Sequence, residues 1–121
     1  MRSISEVLAR IGTAPDFAGV QVVDPNTRGN CSTYPLHVAA VSGDCEAIQV
    51  LIAAGARIDQ QGEHGYTPLM EAVAQGKTEV AELLISLGAK ATPSEDGEIP
   101  SSLAGILGND RLSQMLRSKG Y

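Results

Sequence analysis

Residues 65–89 read GYTPLMEAVAQGKTEVAELLISLGA, and this stretch decides the fold. Thr67 places a capping hydroxyl just outside a helix, and Pro68 supplies a fixed φ at the first helical position, where no amide hydrogen is needed. Gly76 permits the left-handed conformation that ends this helix. A second helix begins near Thr78 and carries apolar residues at helical spacing up to the next glycine. The stretch therefore predicts two short helices joined by a tight turn and followed by an irregular arm.

The same unit occurs three times along the chain. Residues 34–56 read YPLHVAAVSGDCEAIQVLIAAGA and match the first stretch at a shift of 33 positions. A weaker copy follows at a shift of 32, where Pro100, Ala104 and Gly108 continue the series. Neither helix of a unit reaches the ~12 to 15 residues at which an isolated helix becomes marginal in water. Each unit must therefore be stabilised by stacking on its neighbours.

These two stretches resemble the ankyrin repeat, whose period is about 33 residues and whose signature includes the Leu36-His37 element. The resemblance covers residues 32–121 and implies a single all-α domain, a solenoid of stacked helix pairs with β-turn or hairpin fingers projecting from it. It also implies that the His37 imidazole ties helix to finger by hydrogen bonds. The expected repeats are residues 32–64, 65–96 and 97–121, the last acting as a C-terminal cap.

The first 31 residues do not fit this period. Ser3 and Glu6 read as a capping box, and the apolar stripe that follows predicts a lone helix before Gly12. Such a half repeat would cap the N-terminal end of the stack. From Gly12 to Pro35 is 23 positions, whereas the corresponding distance in the next repeat is 13. The additional length, with the turn-rich stretch DPNTRGN, predicts an enlarged first finger.

The three copies differ at positions that matter for stability. Tyr34 and Ile99 stand where Thr67 caps its helix, and Met70 and Ser102 stand where the family prefers the histidine seen at His37. Losing a cap costs about 1 kcal/mol. The outer repeats are therefore expected to be less stable than the middle one.

Charge narrows the class of partner. The net charge is -5, and residues 59–98 hold eight acidic side chains against two lysines. This balance argues against binding to the phosphate backbone of nucleic acid. No run of 18 apolar residues exists to span a bilayer, and no secretory signal is recognisable. We expect a cytoplasmic protein whose partner is another protein that is basic or carries a basic patch.

The sequence offers little support for a catalytic or metal-binding site. Cys31, His37, Cys45 and His64 have spacings that match no zinc finger or ribbon, and the cysteines are expected to be free thiols. The acidic stretch at 94–98 lacks the ligand spacing of a calcium-binding loop, and the glycines are explained by helix ends. We therefore expect no enzyme activity, no metal and no cofactor.

One catalytic alternative stays open. The irregular N-terminal segment places Asp16 and Asp24 near Thr27 and Cys31, which would suit a hydrolase whose activity depends on Cys31.

The resemblance implies a concave binding surface made by the inner helices and the finger tips. The residues carried onto it from the family layout are Arg28, Asn30, Thr33, Val41 and Ser42 in the first repeat, Gln61, Glu63, His64, Tyr66, Ala74 and Gln75 in the second, and Glu95, Asp96 and Glu98 in the third. Tyr66 is the expected anchor, because tyrosine buries a large area at low entropy cost. Alternatively, its ring lies over a neighbouring finger. The acidic loop at 94–98 is either a contact patch or simply solvated.

The expected function is noncatalytic protein binding. No effector domain follows the repeats in this sequence, so binding itself is expected to be the function. Small ankyrin proteins of this kind resemble bacterial immunity proteins that cover the active site of a toxin, and acidic loops would suit a basic toxin. The alternative is a scaffold or chaperone-like subunit that stabilises a metabolic enzyme.

Overall fold

The computed structural model describes residues 2–121, and within that range it contains seven α-helices, three short 3₁₀ turns and no β-strand. The helices are α1 (Ile4–Ile11), α2 (Pro35–Ser42), α3 (Cys45–Ala53), α4 (Pro68–Ala74), α5 (Thr78–Ser86), α6 (Pro100–Ile106) and α7 (Asp110–Ser118). The 3₁₀ turns are Pro15–Phe17, Asn30–Ser32 and Glu63–Gly65. No helix in this part of the chain has both the length and the apolar character that crossing a membrane requires.

The helices pack as three antiparallel pairs, α2 with α3, α4 with α5, and α6 with α7. The first helices of the pairs form an inner row in which α4 contacts both α2 and α6, and α3 contacts α5 behind them. The lone helix α1 packs on α2 and α3. This arrangement confirms the predicted all-α solenoid, with the N-terminal helix closing one end.

Equivalent residues of the repeats form the core. Ala72 and Ala104 are fully buried in the inner row, where a methyl side chain lets neighbouring helices approach closely. Leu51, Leu84 and Leu116 occupy one position of the outer helices and are each 0% exposed. Burying a leucine stabilises the fold by about 1.5 to 3 kcal/mol. The core is therefore a row of equivalent apolar contacts, repeated from one helix pair to the next, as the sequence periodicity predicts.

The predicted helix boundaries are confirmed where the signals are local. The Thr67 hydroxyl accepts a hydrogen bond from the Met70 amide at 3.2 Å, and Gly76 adopts a φ of 67° at the end of the pair's first helix. Ser3 and Glu6 form the predicted capping box. Tyr34 and Ile99 give their helices no side-chain cap, as expected from their chemistry.

Part of the additional N-terminal length folds into the 3₁₀ turn Pro15–Phe17. This turn packs against the turn Asn30–Ser32 of the first finger, and Phe17 is 1% exposed. The contact is close, because a Cβ added at Gly29 would lie 2.7 Å from the Asp16 carbonyl oxygen. The turn therefore lies against the first finger and places Asp16 beside it.

Candidate functional site

Three finger tips repeat one backbone turn along the edge of the stack. In each, an amide N–H donates to the carbonyl four residues later: Gly29 to Thr33 at 2.6 Å, Gly62 to Tyr66 at 2.8 Å, and Ser94 to Glu98 at 2.9 Å. The tips need left-handed backbone, with φ of 56° at Cys31, 60° at His64 and 80° at Gly97. Most of the predicted contact residues lie on these turns.

The fingers are stacked against one another. The Glu95 amide donates to the His64 carbonyl at 3.0 Å, which joins the second and third tips directly. The Gln61 side-chain amide donates to Pro93 O at 3.2 Å and braces the same pair. A Cβ at Gly62 would lie 2.6 Å from the Ser32 carbonyl oxygen, so the first and second tips leave no room for a side chain there. The fingers therefore form one continuous, supported edge.

His37 links helix α2 to the second finger, as the resemblance implied. Its Nε2 lies 2.9 Å from the Tyr66 carbonyl oxygen, and the residue is 4% exposed. Burial lowers the pKa of His37, which keeps the imidazole neutral near pH 7. Since a carbonyl can only accept, Nε2 carries the proton and Nδ1 carries a lone pair.

The predicted contact residues divide by exposure. Those with exposed side chains are Arg28, Asn30, Gln61, Glu63, His64, Gln75, Glu95 and Asp96, while Thr33, Tyr66 and Glu98 are partly buried. Four of them form intramolecular side-chain hydrogen bonds. Arg28 donates to the Ser32 hydroxyl at 2.7 Å, Asn30 donates to Ala18 O, Gln61 donates to Gly65 O and Pro93 O, and Glu98 accepts from the Ser102 hydroxyl at 2.8 Å. The Tyr66 ring packs partly against the core and meets the His64 ring edge-on at 6.2 Å between centroids. The exposed acidic tips therefore remain the most available part of the predicted surface.

A cavity of about 410 Å³ opens on the concave side between the first two fingers and helices α2 and α4. We call it the acidic pocket; its lining residues are Asp16, Ser32, Thr33, His37, Val38, Val41, Ser42, Glu63 and Glu71. Asp16 and Glu71 were not among the predicted binding residues. Glu71 could have been found, because it is the only Asp, Glu, Lys or Arg in the sequences of the three inner helices.

The three carboxylates of the acidic pocket influence one another. Burial raises the pKa of Glu71, and the negative charges of Glu63 and Asp16 raise it further. Glu63 lies 3.6 Å from the exposed His64 ring, whereas the Glu71 and Asp16 carboxylates form no ion pair within residues 2–121. Across that same range, no three His, Cys, Asp or Glu side chains are arranged to hold a metal ion. Among the described residues, neither Asp16 nor Glu71 therefore has an ion-pair partner in this pocket.

An apolar row crosses the inner helices beside this pocket. Val41, Ala74 and Ile106 occupy equivalent positions of α2, α4 and α6, and Leu107 follows at the end of the row. Val41 is 40% exposed, Ile106 67% and Leu107 53%, which makes them three of the most exposed large apolar side chains in the described chain. We call these four residues the apolar row. Exposed apolar side chains rimmed by charged ones are typical of protein contact surfaces.

A larger cleft, of about 740 Å³, lies at the N-terminal end between α1 and α2. The carboxylate in its lining, Asp44, is paired with the Arg2 guanidinium at 2.6 Å, and the same guanidinium lies 2.7 Å from Glu46. These hydrogen bonds to Arg2 lower the pKa of both carboxyl groups. The cleft thus lacks the unpaired carboxylates that distinguish the concave side.

Asp24 and Thr27, two of the four residues of the suggested hydrolase, take part in local hydrogen bonds. The Thr27 hydroxyl accepts hydrogen bonds from the Val23 and Asp24 amides, each at 3.1 Å, and Asp24 accepts from the Asn26 amide at 2.7 Å. These contacts hold a turn. Cys31 is an exposed free thiol at the first finger tip.

Comparison with known proteins agrees with the architecture. The family model described as ankyrin repeats (3 copies) matches residues 8–95, from α1 to the third finger. Human protein phosphatase 1 regulatory subunit 27 is 44% identical over 69 residues, which cover 56% of this chain and 45% of that protein. The ankyrin repeat and KH domain-containing protein mask-1 of Caenorhabditis elegans is 34% identical over 122 residues, covering 97% of this chain but 4% of its own length. The chain therefore spans less than half of each of these relatives. With more than half of its length matched by the repeat model, the chain belongs to the ankyrin-repeat family.

Proposed function

We propose that this chain is a noncatalytic binding module whose concave face and finger tips bind a basic surface of another protein. The observation that carries this proposal is that the carboxylates of the acidic pocket and the apolar row lie together on the concave side of the stack. A specific complex buries ~800 Å² per partner. That area is a small part of the 6159 Å² surface of the chain, and the three fingers with the inner row can supply it.

The charge distribution favours binding as an inhibitor. Glu63, Glu95 and Asp96 lie on adjacent finger tips, where negative charge accelerates association with a basic partner. Covering a basic active site would neutralise the partner, as an immunity protein does with its toxin. A second candidate is a regulatory or scaffolding subunit, and the similarity to a protein named as a phosphatase regulatory subunit favours it.

Affinity capture with charge-matched variants tests the proposal. The double variant Glu63→Gln/Asp96→Asn removes two charges from the finger tips, and Glu79→Gln/Glu82→Gln removes two exposed charges from α5 on the other side of the stack. We expect the wild-type chain and the α5 variant to capture the same basic protein, while the finger variant captures at least about tenfold less. Equal capture by all three would contradict a concave acidic site.

The captured partner then separates the two candidates. An inhibitor abolishes the partner's activity at one equivalent. A scaffolding subunit leaves the activity intact and raises the partner's melting temperature in the assembly.

A further inference from the structure

We propose that the acidic pocket receives one arginine side chain of the partner, which deepens the proposed function and rests on it. The partner would therefore present an arginine that projects from its surface, close to an apolar side chain that meets the apolar row. Geometry, hydrogen-bonding capacity and charge each support this assignment.

The walls of the pocket offer hydrogen-bond acceptors in excess. Asp16, Glu63 and Glu71 are acceptors when ionised. His37 lies in the wall at 4% exposure, and its Nδ1 has no hydrogen-bond partner among residues 2–121. Because Nε2 uses the only proton of the neutral ring on the Tyr66 carbonyl, Nδ1 is a buried acceptor without a partner in the described chain. A ligand that fits these walls must be rich in donors.

Guanidinium fits this requirement better than other cations do. It presents five N–H donors in a plane, stays charged at any relevant pH and is more weakly hydrated than an ammonium group. The pocket also has the apolar walls Val38 and Val41, against which the methylene groups of an arginine can pack. A metal ion fits poorly, since these side chains do not form a metal-binding group within the described chain.

The apolar row sets a distance between the arginine and its apolar neighbour. The pocket lies at α2 and α4, and Ile106 lies on the next inner helix, α6. Packed helices are about 8 to 10 Å apart. An extended peptide advances about 3.3 Å per residue, so an apolar side chain three residues from the arginine would reach Ile106.

The test is an NMR titration with short synthetic peptides. The probe is acetyl-Arg-Ser-Ser-Leu-amide. Two matched peptides replace the arginine, one by citrulline, which is neutral and similar in shape, and the other by lysine. The proteins are the wild-type chain, Glu71→Gln and the control Glu82→Gln, whose charge lies on the exposed side of α5. Amide shifts report the affinity, and the ¹⁵N shift of His37 Nδ1 reports whether that lone pair gains a donor.

We expect the arginine peptide to bind the wild type and Glu82→Gln equally, and the citrulline and lysine peptides at least about fivefold more weakly. Glu71→Gln should weaken binding of the arginine peptide by about tenfold, as expected for the loss of one charge-assisted hydrogen bond. The shifts should concentrate in α2 and the second finger, and the Nδ1 signal should move toward its protonated position. Equal binding of the three peptides, an unaffected Glu71→Gln, or shifts spread over the whole acidic surface would each overturn the proposal.

Failure here is separable from failure of the proposed function. If the captured partner is lost with Glu63→Gln/Asp96→Asn yet keeps its affinity for Glu71→Gln, the arginine assignment is wrong and the binding module stands. If the finger variant captures the partner as well as the wild type does, the concave site itself fails, whatever the peptides show. Circular dichroism of Glu71→Gln controls for folding, and we expect no loss of helical signal.

Discussion

Replacing Thr67 by valine removes one buried oxygen and almost no volume. Thr67 is 0% exposed, and its hydroxyl accepts from the Met70 amide at 3.2 Å. That amide lies in the first turn of α4, where no carbonyl of the helix can accept from it. Loss of a cap costs about 1 kcal/mol, and leaving the donor buried without an acceptor raises the total to about 2 kcal/mol.

The same reasoning predicts a gain at the equivalent position of the third repeat. Ile99 precedes α6, gives no side-chain cap and is 38% exposed, so threonine there loses little burial and adds an acceptor. Ile99→Thr should stabilise the chain by about 1 kcal/mol.

Urea unfolding followed at 222 nm measures both variants, and equal slopes of free energy against urea would show that the unfolded states are comparable. A Thr67→Val variant within about 0.5 kcal/mol of the wild type, or a destabilised Ile99→Thr variant, would refute the capping argument.

Three further outcomes follow from burial and charge. Leu84→Ala should lower the free energy of unfolding by about 2 to 5 kcal/mol in the same urea assay, since Leu84 is 0% exposed and the truncation leaves a cavity; a loss below 1 kcal/mol would contradict its place in the core. The folded pKa of Glu71 is raised, so its ionised form destabilises the fold. Glu71→Gln should therefore melt at a higher temperature than the wild type at pH 7, and this difference should disappear as the pH falls through the raised pKa. The Arg2 guanidinium lowers the folded pKa of Asp44, so the ion pair stabilises the fold above the unfolded pKa and this stabilisation is lost as the pH falls through the folded pKa; Asp44→Asn should melt at a lower temperature than the wild type at pH 7, and the difference should shrink as the pH falls through the folded pKa of Asp44.

The sequence predicts the helices well because their signals are local. Proline at the first position and glycine after the last one act on the backbone of their own turn, so Pro68 and Gly76 mark α4 without reference to the rest of the chain. The repeat of these signals then predicts the stacking, since short helices need neighbours. The same holds for His37, whose bond to the second finger follows from its place in the repeated motif.

Local sequence signals do not predict contacts between residues that are far apart in the chain. The turn at Pro15–Phe17 has no counterpart in the other repeats, so no periodicity places Asp16 beside Glu71. Ser102 shows a similar limit: it replaces the family histidine, and its hydroxyl accepts from the Ile99 amide at 3.0 Å while donating to Glu98. The third repeat thus recovers part of the capping that its sequence lacks, which the substitution alone does not reveal.

The contrast between two sets of carboxylates links stability to function. Asp44 and Glu46 share the Arg2 guanidinium and thereby join the chain's beginning to α3. Glu71 lies partly buried beside Glu63 and Asp16 and has no ion-pair partner in the described part of the chain, at a position where the first repeat has Val38. A valine there would relieve the repulsion and add apolar contact, so the fold gains nothing from the charge. Repulsion between carboxylates in one concave cavity is the pattern expected of a binding site whose cation belongs to the partner molecule. The partner's cation would then bind a surface whose carboxylates are already in place.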